Sequence, residues 1–300
     1  MKKYDLIIIG SGPAGLTAGI YAARYNLNFL IIGELSGGAI SEAHKVCNYP
    51  SQNNITGFNL TQNMVNHVKE LEGEINQEKV IKITGTDNNF IIKTNKEEYN
   101  SKKIILAIGR KKQILNVKGE KEFLGKGLSY CATCDAAFYK DKTVAVIGGG
   151  NTAVTAALLL AEHSKKVYVL YRQKSFFRAE PVWVKQLEKE KKIEPIFNSN
   201  IKEIYGEDSV IGVTLNNNKK LDVQGVFIEI GFKPNEELSN ELGLKTEKDY
   251  IIAGEEQETN IKGIYAAGDT TNNHLKQVIT AAAEGAIAST SIYETLKLKK

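Results

Sequence analysis

The sequence predicts an α/β chain of two doubly wound βαβ domains, the second inserted in the first, with small β-meanders beside them. Three observations carry this expectation. An apolar run, Leu6-Ile7-Ile8-Ile9, stops at Gly10-Ser11-Gly12-Pro13-Ala14-Gly15, and a stretch rich in small residues follows. The same succession returns at Val144-Ala145-Val146-Ile147 with Gly148-Gly149-Gly150-Asn151-Thr152-Ala153. Beyond it, 263–269 reads as one more buried strand and 277–296 as a long helix, expected to rejoin the first sheet.

The chain has 300 residues, 42% hydrophobic and 25% charged. That is enough for two packed, globular domains of roughly 120 to 180 residues each. No apolar run reaches the about 18 residues of a membrane span, and the opening stretch is too short for a signal-peptide core. The net charge of +4 is dispersed, with no basic block beyond Lys297-Leu298-Lys299-Lys300, so neither nucleic acid nor membrane is expected as a partner. Three cysteines cannot form a secreted disulfide framework. One close pair, Cys131 and Cys134, with a lone Cys47 suits a reducing, cytoplasmic compartment in which a disulfide is catalytic.

Taken in order, 14–25 reads as a helix with Pro13 in its first turn, and 28–32 as the next strand. The turn Gly85-Thr86-Asp87 introduces 90–94, short and β-rich, as part of a meander. An apolar strand over 101–107 ends at Ile108-Gly109. The second domain is expected over 114–241, with strands at 143–147, 166–170 and 225–230 and a helix at 152–163. Residues 1–113 and 242–300 then form the first domain, and the chain crosses near Lys112-Gln113 and Asn240-Glu241.

In the first signature Gly10 allows the tight turn, Gly12 lets backbone approach a pyrophosphate, and Gly15 lets helix and strand pack closely, as in Rossmann-like dinucleotide sites. Glu34, beyond Gly33, leaves two readings open, a ribose ligand or a solvated loop charge. About 20 residues after the second signature, where a ribose-binding acid would stand, the chain has Tyr171-Arg172-Gln173-Lys174 and Arg178. Cations there favour a 2′-phosphate, hence NADP over NAD. The other reading is a basic solvated loop. Cys131 and Cys134 lack two further ligands for structural zinc. Two buried, inert cysteines remain possible, but Gly127-Leu128-Ser129-Tyr130 makes a polar, mobile-looking setting that favours dithiol exchange, with Asp135 placed to move protons. Cys47, with no near sequence neighbour of its kind, reads as a core or semi-buried thiol and not as a redox partner. Gly268-Asp269 ends a strand and offers a carboxylate to a sugar hydroxyl, and the helix starting near Lys276-Gln277-Val278 offers its first amides. Taken alone, that segment reads equally as ordinary capping.

Together, Gly10 to Gly15, Gly37-Gly38, Asn48-Tyr49-Pro50, Cys131-Ala132-Thr133-Cys134-Asp135, Gly148 to Ala153, and Gly268-Asp269 with Lys276-Gln277-Val278 resemble low-molecular-weight thioredoxin reductase. The resemblance spans nearly the whole chain in the family's order. It implies a homodimeric flavoprotein whose FAD domain is interrupted by an NADP(H) domain, with thioredoxin or a thioredoxin-like protein as partner. By resemblance the FAD site comprises Gly10, Gly12, Pro13, Ala14, Gly15, Gly33, Glu34, Gly37, Gly38, Ala39, Ile40, Asn48, Gly109, Gly268, Asp269, Lys276, Gln277 and Val278. The NADP(H) site comprises Gly148, Gly150, Asn151, Thr152, Ala153, Arg172, Lys174 and Arg178. Cys134 then faces the flavin, Cys131 exchanges with thioredoxin, and Asp135 is the acid/base. The chain departs from the family at the phosphate clamp. Where the family has His-Arg-Arg-x-x-x-Arg, this sequence has Tyr171-Arg172-Gln173, with Arg178 displaced by one residue. Two alternatives follow: a related flavoenzyme that takes electrons from NADH, reduced ferredoxin or a deazaflavin, and a non-catalytic nucleotide-binding redox sensor.

Overall fold

A computed structural model describes residues 2–297, so Leu298-Lys299-Lys300 of the basic tail lie outside the described residues. The chain divides into two compact units, Met1–Lys111 with Pro234–Lys300, and Lys112–Lys233. The expected boundaries at 113/114 and 241/242 therefore move. The second moves back to Pro234 because Asn240 and Glu241 belong to the helix Glu236–Leu242, whose Leu238 and Leu242 join the apolar core of the first unit.

In the first unit a seven-stranded sheet has the order 74–76, 29–32, 2–9, 98–106, 89–94, 80–86, with Ile264–Ala266 also paired to Glu98–Leu106. Lys2–Ile9, Phe29–Ile32, Glu74–Asn76 and Ile264–Ala266 run parallel to their neighbours, and the meander strands Val80–Thr86 and Asn89–Thr94 run antiparallel. Side-chain alternation decides what each face meets. Leu6, Ile8, Phe29 and Ile31 point into the core shared with the helices Pro13–Arg24 and Val278–Lys297. Ile7, Ile9, Leu30 and Ile32 point the other way, toward Ile83, Phe90 and Ile92 of the meander and Leu238. Because both faces are covered, these strands read as unbroken apolar runs. Glu98–Leu106 begins three residues earlier than its apolar stretch suggested, because its polar first half is the third strand of the meander.

The second unit repeats the plan with a five-stranded parallel sheet of order 193–196, 166–170, 143–147, 225–228, 128–129. Val144 and Val146 face the helix Asn151–His163, while Ala145 and Ile147 face a three-stranded antiparallel sheet, Ile201–Gly206, Val210–Leu215 and Lys220–Asp222. The setting of the cysteines is not the mobile one expected. Leu128 and Ser129 are buried and form the edge strand of this sheet.

One buried ion pair fastens the meander of the first unit to its parallel strands. Lys103 is 1% exposed at its side chain and donates to Asp87, itself 15% exposed, while Lys262 stands 3.9 Å from the same carboxylate. Asp87→Ala leaves an ammonium with almost no access to water, which should cost about 3–5 kcal/mol. Lys103→Met removes the buried charge and leaves Asp87 beside Lys262, so it should cost less. Denaturant midpoints of the two variants check this ordering, and equal losses would contradict it.

Candidate active site

Parallel register sets the first site. Ile9 pairs with Ile32 on one side and Leu106 on the other, and Leu106 pairs with Ala266. The residues that follow these strand ends, Gly10, Gly33, Ala107 to Gly109 and Ala267 to Asp269, therefore leave the sheet along one edge, where ligands of doubly wound sheets bind. Gly10 has φ +117°, and a Cβ there would lie 2.1 Å from the Ala107 carbonyl oxygen. The helix Pro13–Arg24 starts at Gly12 with neither a capping side chain nor an acid in its first turn. Elsewhere in the unit, Thr56 accepts from the Asn59 amide to cap the helix Gly57–Glu70. The open amides of the first helix suit an anion.

The loop after Ile32 closes over this turn. The Gly37 amide donates to Ser11 O at 2.9 Å, Ser11 Oγ donates to Leu35 O at 2.9 Å, and a Cβ on Gly38 would lie 2.8 Å from Gly12 Cα. Ala39 and Ile40 open the short 3-10 helix that follows, and Glu34 is exposed just past the strand end. Asn48 Nδ2 donates to Gln277 Oε1 at 3.0 Å, and Val278 packs with Val46 and Leu60. Asp269 Oδ2 accepts from Arg110 Nε at 2.9 Å and Nη2 at 2.5 Å. Lys276 donates to Thr271 O, and burial pushes its ammonium below the usual lysine range. Gly268 N, Thr271 Oγ1 and Asn273 Nδ2 all donate to the buried carboxylate of Glu284. A backbone cradle that a Cβ would fill, an uncapped helix start and an acid at a strand end fit a dinucleotide such as FAD.

In the second unit Cys131 and Cys134 are disulfide-bonded, with Cα atoms 5.3 Å apart. Cys131 is half-buried and caps the single turn Ala132–Asp135, whose Cys134 amide donates to Cys131 Sγ at 3.2 Å. Asp135 is half-buried one residue beyond Cys134, and its charge adds to burial in raising the Tyr139 phenol above its usual range. Cys47, in the first unit, is not the core or semi-buried thiol expected: it is free and exposed, and donates to Asn54 Oδ1 at 3.2 Å.

The second glycine turn copies the first. Gly148 has φ +140° with a would-be Cβ 2.2 Å from Glu229 O, and the helix Asn151–His163 starts uncapped at Gly150 without an acid in its first turn. Thr152 and Ala153 follow in that turn. Asn151 is bonded in both directions to Glu180, from its Nδ2 to Oε1 at 2.9 Å and from the Glu180 amide to its Oδ1 at 2.7 Å. Arg178 is bridged to Gly150 through backbone, and its guanidinium lies 5.5 Å from the Phe177 ring. Arg172 and Lys174 are exposed nearby in sequence. The ring of Tyr171 covers Gly149, where a Cβ would lie 2.4 Å from it, and stacks with Phe176 and Phe177.

A family model described as pyridine nucleotide-disulphide oxidoreductase matches residues 4–285. The chain belongs to that family. Its relatives include the thioredoxin reductase of Bacillus subtilis, 35% identical over 100% of this chain and 99% of its own length. Among solved structures, Lactococcus lactis thioredoxin reductase in its FR conformation superposes with a TM-score of 0.94 at 33% identity, covering 98% of this chain and 99% of that one. A ferredoxin-flavin thioredoxin reductase from Clostridium acetobutylicum gives 0.55 at 34% identity, with 99% of both chains covered. As a pyridine nucleotide-disulphide oxidoreductase, this chain is an oxidoreductase acting on a disulfide, and Cys131–Cys134 is the disulfide found among the described residues.

Sequence reasoning missed Arg110, Glu180 and Glu284. Glu284 left a signal, a lone acid within the small-residue run Ala281-Ala282-Ala283-Glu284-Gly285. Glu180 and Arg110 left none, since their partners Asn151 and Asp269 are far away in sequence.

The two glycine turns give a paired prediction. A Cβ at Gly12 would come no closer than 3.7 Å to another atom, and one at Gly150 meets nothing within 4 Å. Both Gly12→Ala and Gly150→Ala should therefore fold, with melting temperatures equal to that of the parent when the flavin-free forms are compared, while obstructing a pyrophosphate. Gly12→Ala should purify colourless, whereas Gly150→Ala should keep its yellow flavin and lose at least tenfold in donor affinity, about 1.4 kcal/mol. Absorbance and donor titration read both, and a fully yellow Gly12→Ala protein would refute the first assignment.

Proposed function

We propose that the chain is an NADPH-dependent thioredoxin-disulfide reductase, acting in the cytoplasm as a homodimer. The disulfide is what carries this reading. Its Cys131 sulfur accepts from the Cys134 amide at the start of a helical turn, in a chain with two uncapped glycine-opened helices. Unit 1, through Gly10 to Gly15, Gly33 to Ile40, Asn48, Gly109, Gly268-Asp269 and Lys276 to Val278, would hold FAD. Unit 2, through Gly148, Gly150 to Ala153, Arg172, Lys174 and Arg178, would hold NADP(H). FAD, when bound, supplies the two-electron relay between nicotinamide and disulfide.

The chain's own residues then perform exchange with thioredoxin. The Cys131 thiolate attacks one sulfur of the partner's disulfide, whose S–S bond breaks and expels a thiolate. The Cys134 thiolate attacks Cys131 Sγ, reforming the Cys131–Cys134 bond and expelling the second partner thiolate. Two electrons pass to the partner, and Asp135 moves the proton that Cys134 must lose.

A second reading concerns the donor alone. Tyr171 and Gln173 replace cationic positions of the clamp, and the ring of Tyr171 covers Gly149. The Clostridium acetobutylicum structure, named for ferredoxin, is as similar in sequence as the Lactococcus lactis one. Anaerobic titration decides between them: NADPH should bleach the bound flavin, and a flavin that stays oxidised with NADPH but bleaches with ferredoxin, NADH or a deazaflavin overturns the NADPH assignment. Cys131→Ser and Cys134→Ser should each abolish thioredoxin reduction while leaving flavin reduction by the donor intact. Retained thioredoxin turnover in either variant would end the dithiol mechanism.

A further inference from the structure

The redox disulfide follows an edge strand only two residues long, Leu128–Ser129, so the sheet alone gives it little purchase. Side chains of the second unit supply the rest. Ser129 Oγ accepts from the Cys131 amide at 2.9 Å. Lys112 Nζ donates to the Tyr130 carbonyl at 2.6 Å. The Tyr130 hydroxyl donates to Glu120 Oε1 at 2.5 Å. Glu120 is 5% exposed, and its carboxylate also accepts from the amides of Leu115 at 2.7 Å and Val117 at 3.3 Å. Tyr130, the residue before Cys131, is thus fastened at its backbone by one side chain and at its ring tip by another. Both fasteners come from 112–120, the stretch by which the chain enters this unit.

A buried carboxylate that spends its lone pairs on two backbone amides and one phenol is an expensive device unless fixed geometry matters there. Thiol–disulfide exchange is such a case, because the three sulfurs must align and small misplacements cost rate. We infer that Glu120 and Tyr130 are positioning residues for the redox disulfide, holding Cys131 Sγ in line for attack on the partner's sulfur and in reach of the Cys134 amide. This rests on the disulfide-exchange function proposed above. Neither residue touches the reacting sulfurs, so their effect falls on the exchange step and leaves flavin reduction alone.

The test follows Cys131 directly. In full-length, flavin-loaded Cys134→Ser protein, the Cys131 thiolate attacks one sulfur of 5,5′-dithiobis(2-nitrobenzoate), whose S–S bond breaks to release one aryl thiolate and leave a mixed disulfide. The rate is read at Cys131 by mass spectrometry of its peptide. Cys47, exposed in the other unit, reacts with the same probe and serves as an internal reference. Tyr130→Phe, which loses one oxygen, should slow Cys131 about tenfold with Cys47 and flavin reduction unchanged. Glu120→Ala should slow Cys131 at least as much. Glu120→Gln keeps a carbonyl oxygen that can accept from Tyr130 and should recover part of the rate, which a loss of general stability would not give. Should Glu120→Ala fail to fold, Tyr130→Phe carries the test by itself. A Tyr130→Phe rate equal to that of the parent overturns the inference, as does equal slowing of Cys131 and Cys47. Failure of the parent Cys131 to exchange at all overturns the proposed function instead.

Discussion

Both units depend on one backbone contact, the approach of a glycine to the carbonyl that follows a neighbouring strand. A Cβ on Gly10 would lie 2.1 Å from Ala107 O and one on Gly148 2.2 Å from Glu229 O, and both glycines have positive φ. Only a residue without Cβ fits between adjacent parallel strands at that point. The contact turns the chain sharply enough for the next helix to start directly above the strand ends. It also keeps side chains out of the space at the helix start, where an anion would sit. Fold and candidate sites share this constraint, so the same residue types announce both.

That sharing explains why much of the molecule could be read from sequence. The buried parallel strands are continuous Val/Ile/Leu runs because both their faces are covered, and the helices after the glycine turns are small-residue runs because they pack close. Cys131 and Cys134 are adjacent enough that their pairing needed no tertiary information. Elements without such signatures were passed over. The helix Gly57–Glu70 is polar over most of its surface, and the small sheet over 201–222 has short strands with mixed patterning.

What sequence could not supply were relations between distant residues. Arg110 with Asp269, Asn48 with Gln277 and Asn151 with Glu180 are each made by folding, and although Asp269, Asn48, Gln277 and Asn151 lie in recognisable motifs, nothing local shows which residue each one meets. The unit boundary failed for the same reason. Glu236–Leu242 is an ordinary amphipathic segment, and only the core that accepts Leu238 shows to which unit it belongs. The polar residues before Cys131 suggested mobility, whereas burial of Leu128 and Ser129 beside Gly225–Ile228 fixes them.

The interrupted first unit has a consequence for biosynthesis. Ile264–Ala266 pairs with strand residues 104–106, and the helix Val278–Lys297 packs against Pro13–Arg24, so the sheet and its helical layer await a segment that is synthesised after unit 2. Unit 2 is contiguous and can fold while synthesis continues. Its folding brings its own ends together, as the bond from the Gln113 amide to Gly231 O at 3.0 Å records. The loop that separates the two halves of unit 1 is thereby shortened before they must meet, which lowers the entropy cost of closing it. The vectorial order of translation and the nesting of one unit within the sequence of the other thus favour the same sequence of events, with the disulfide-bearing insert formed first and the interrupted unit completed afterwards.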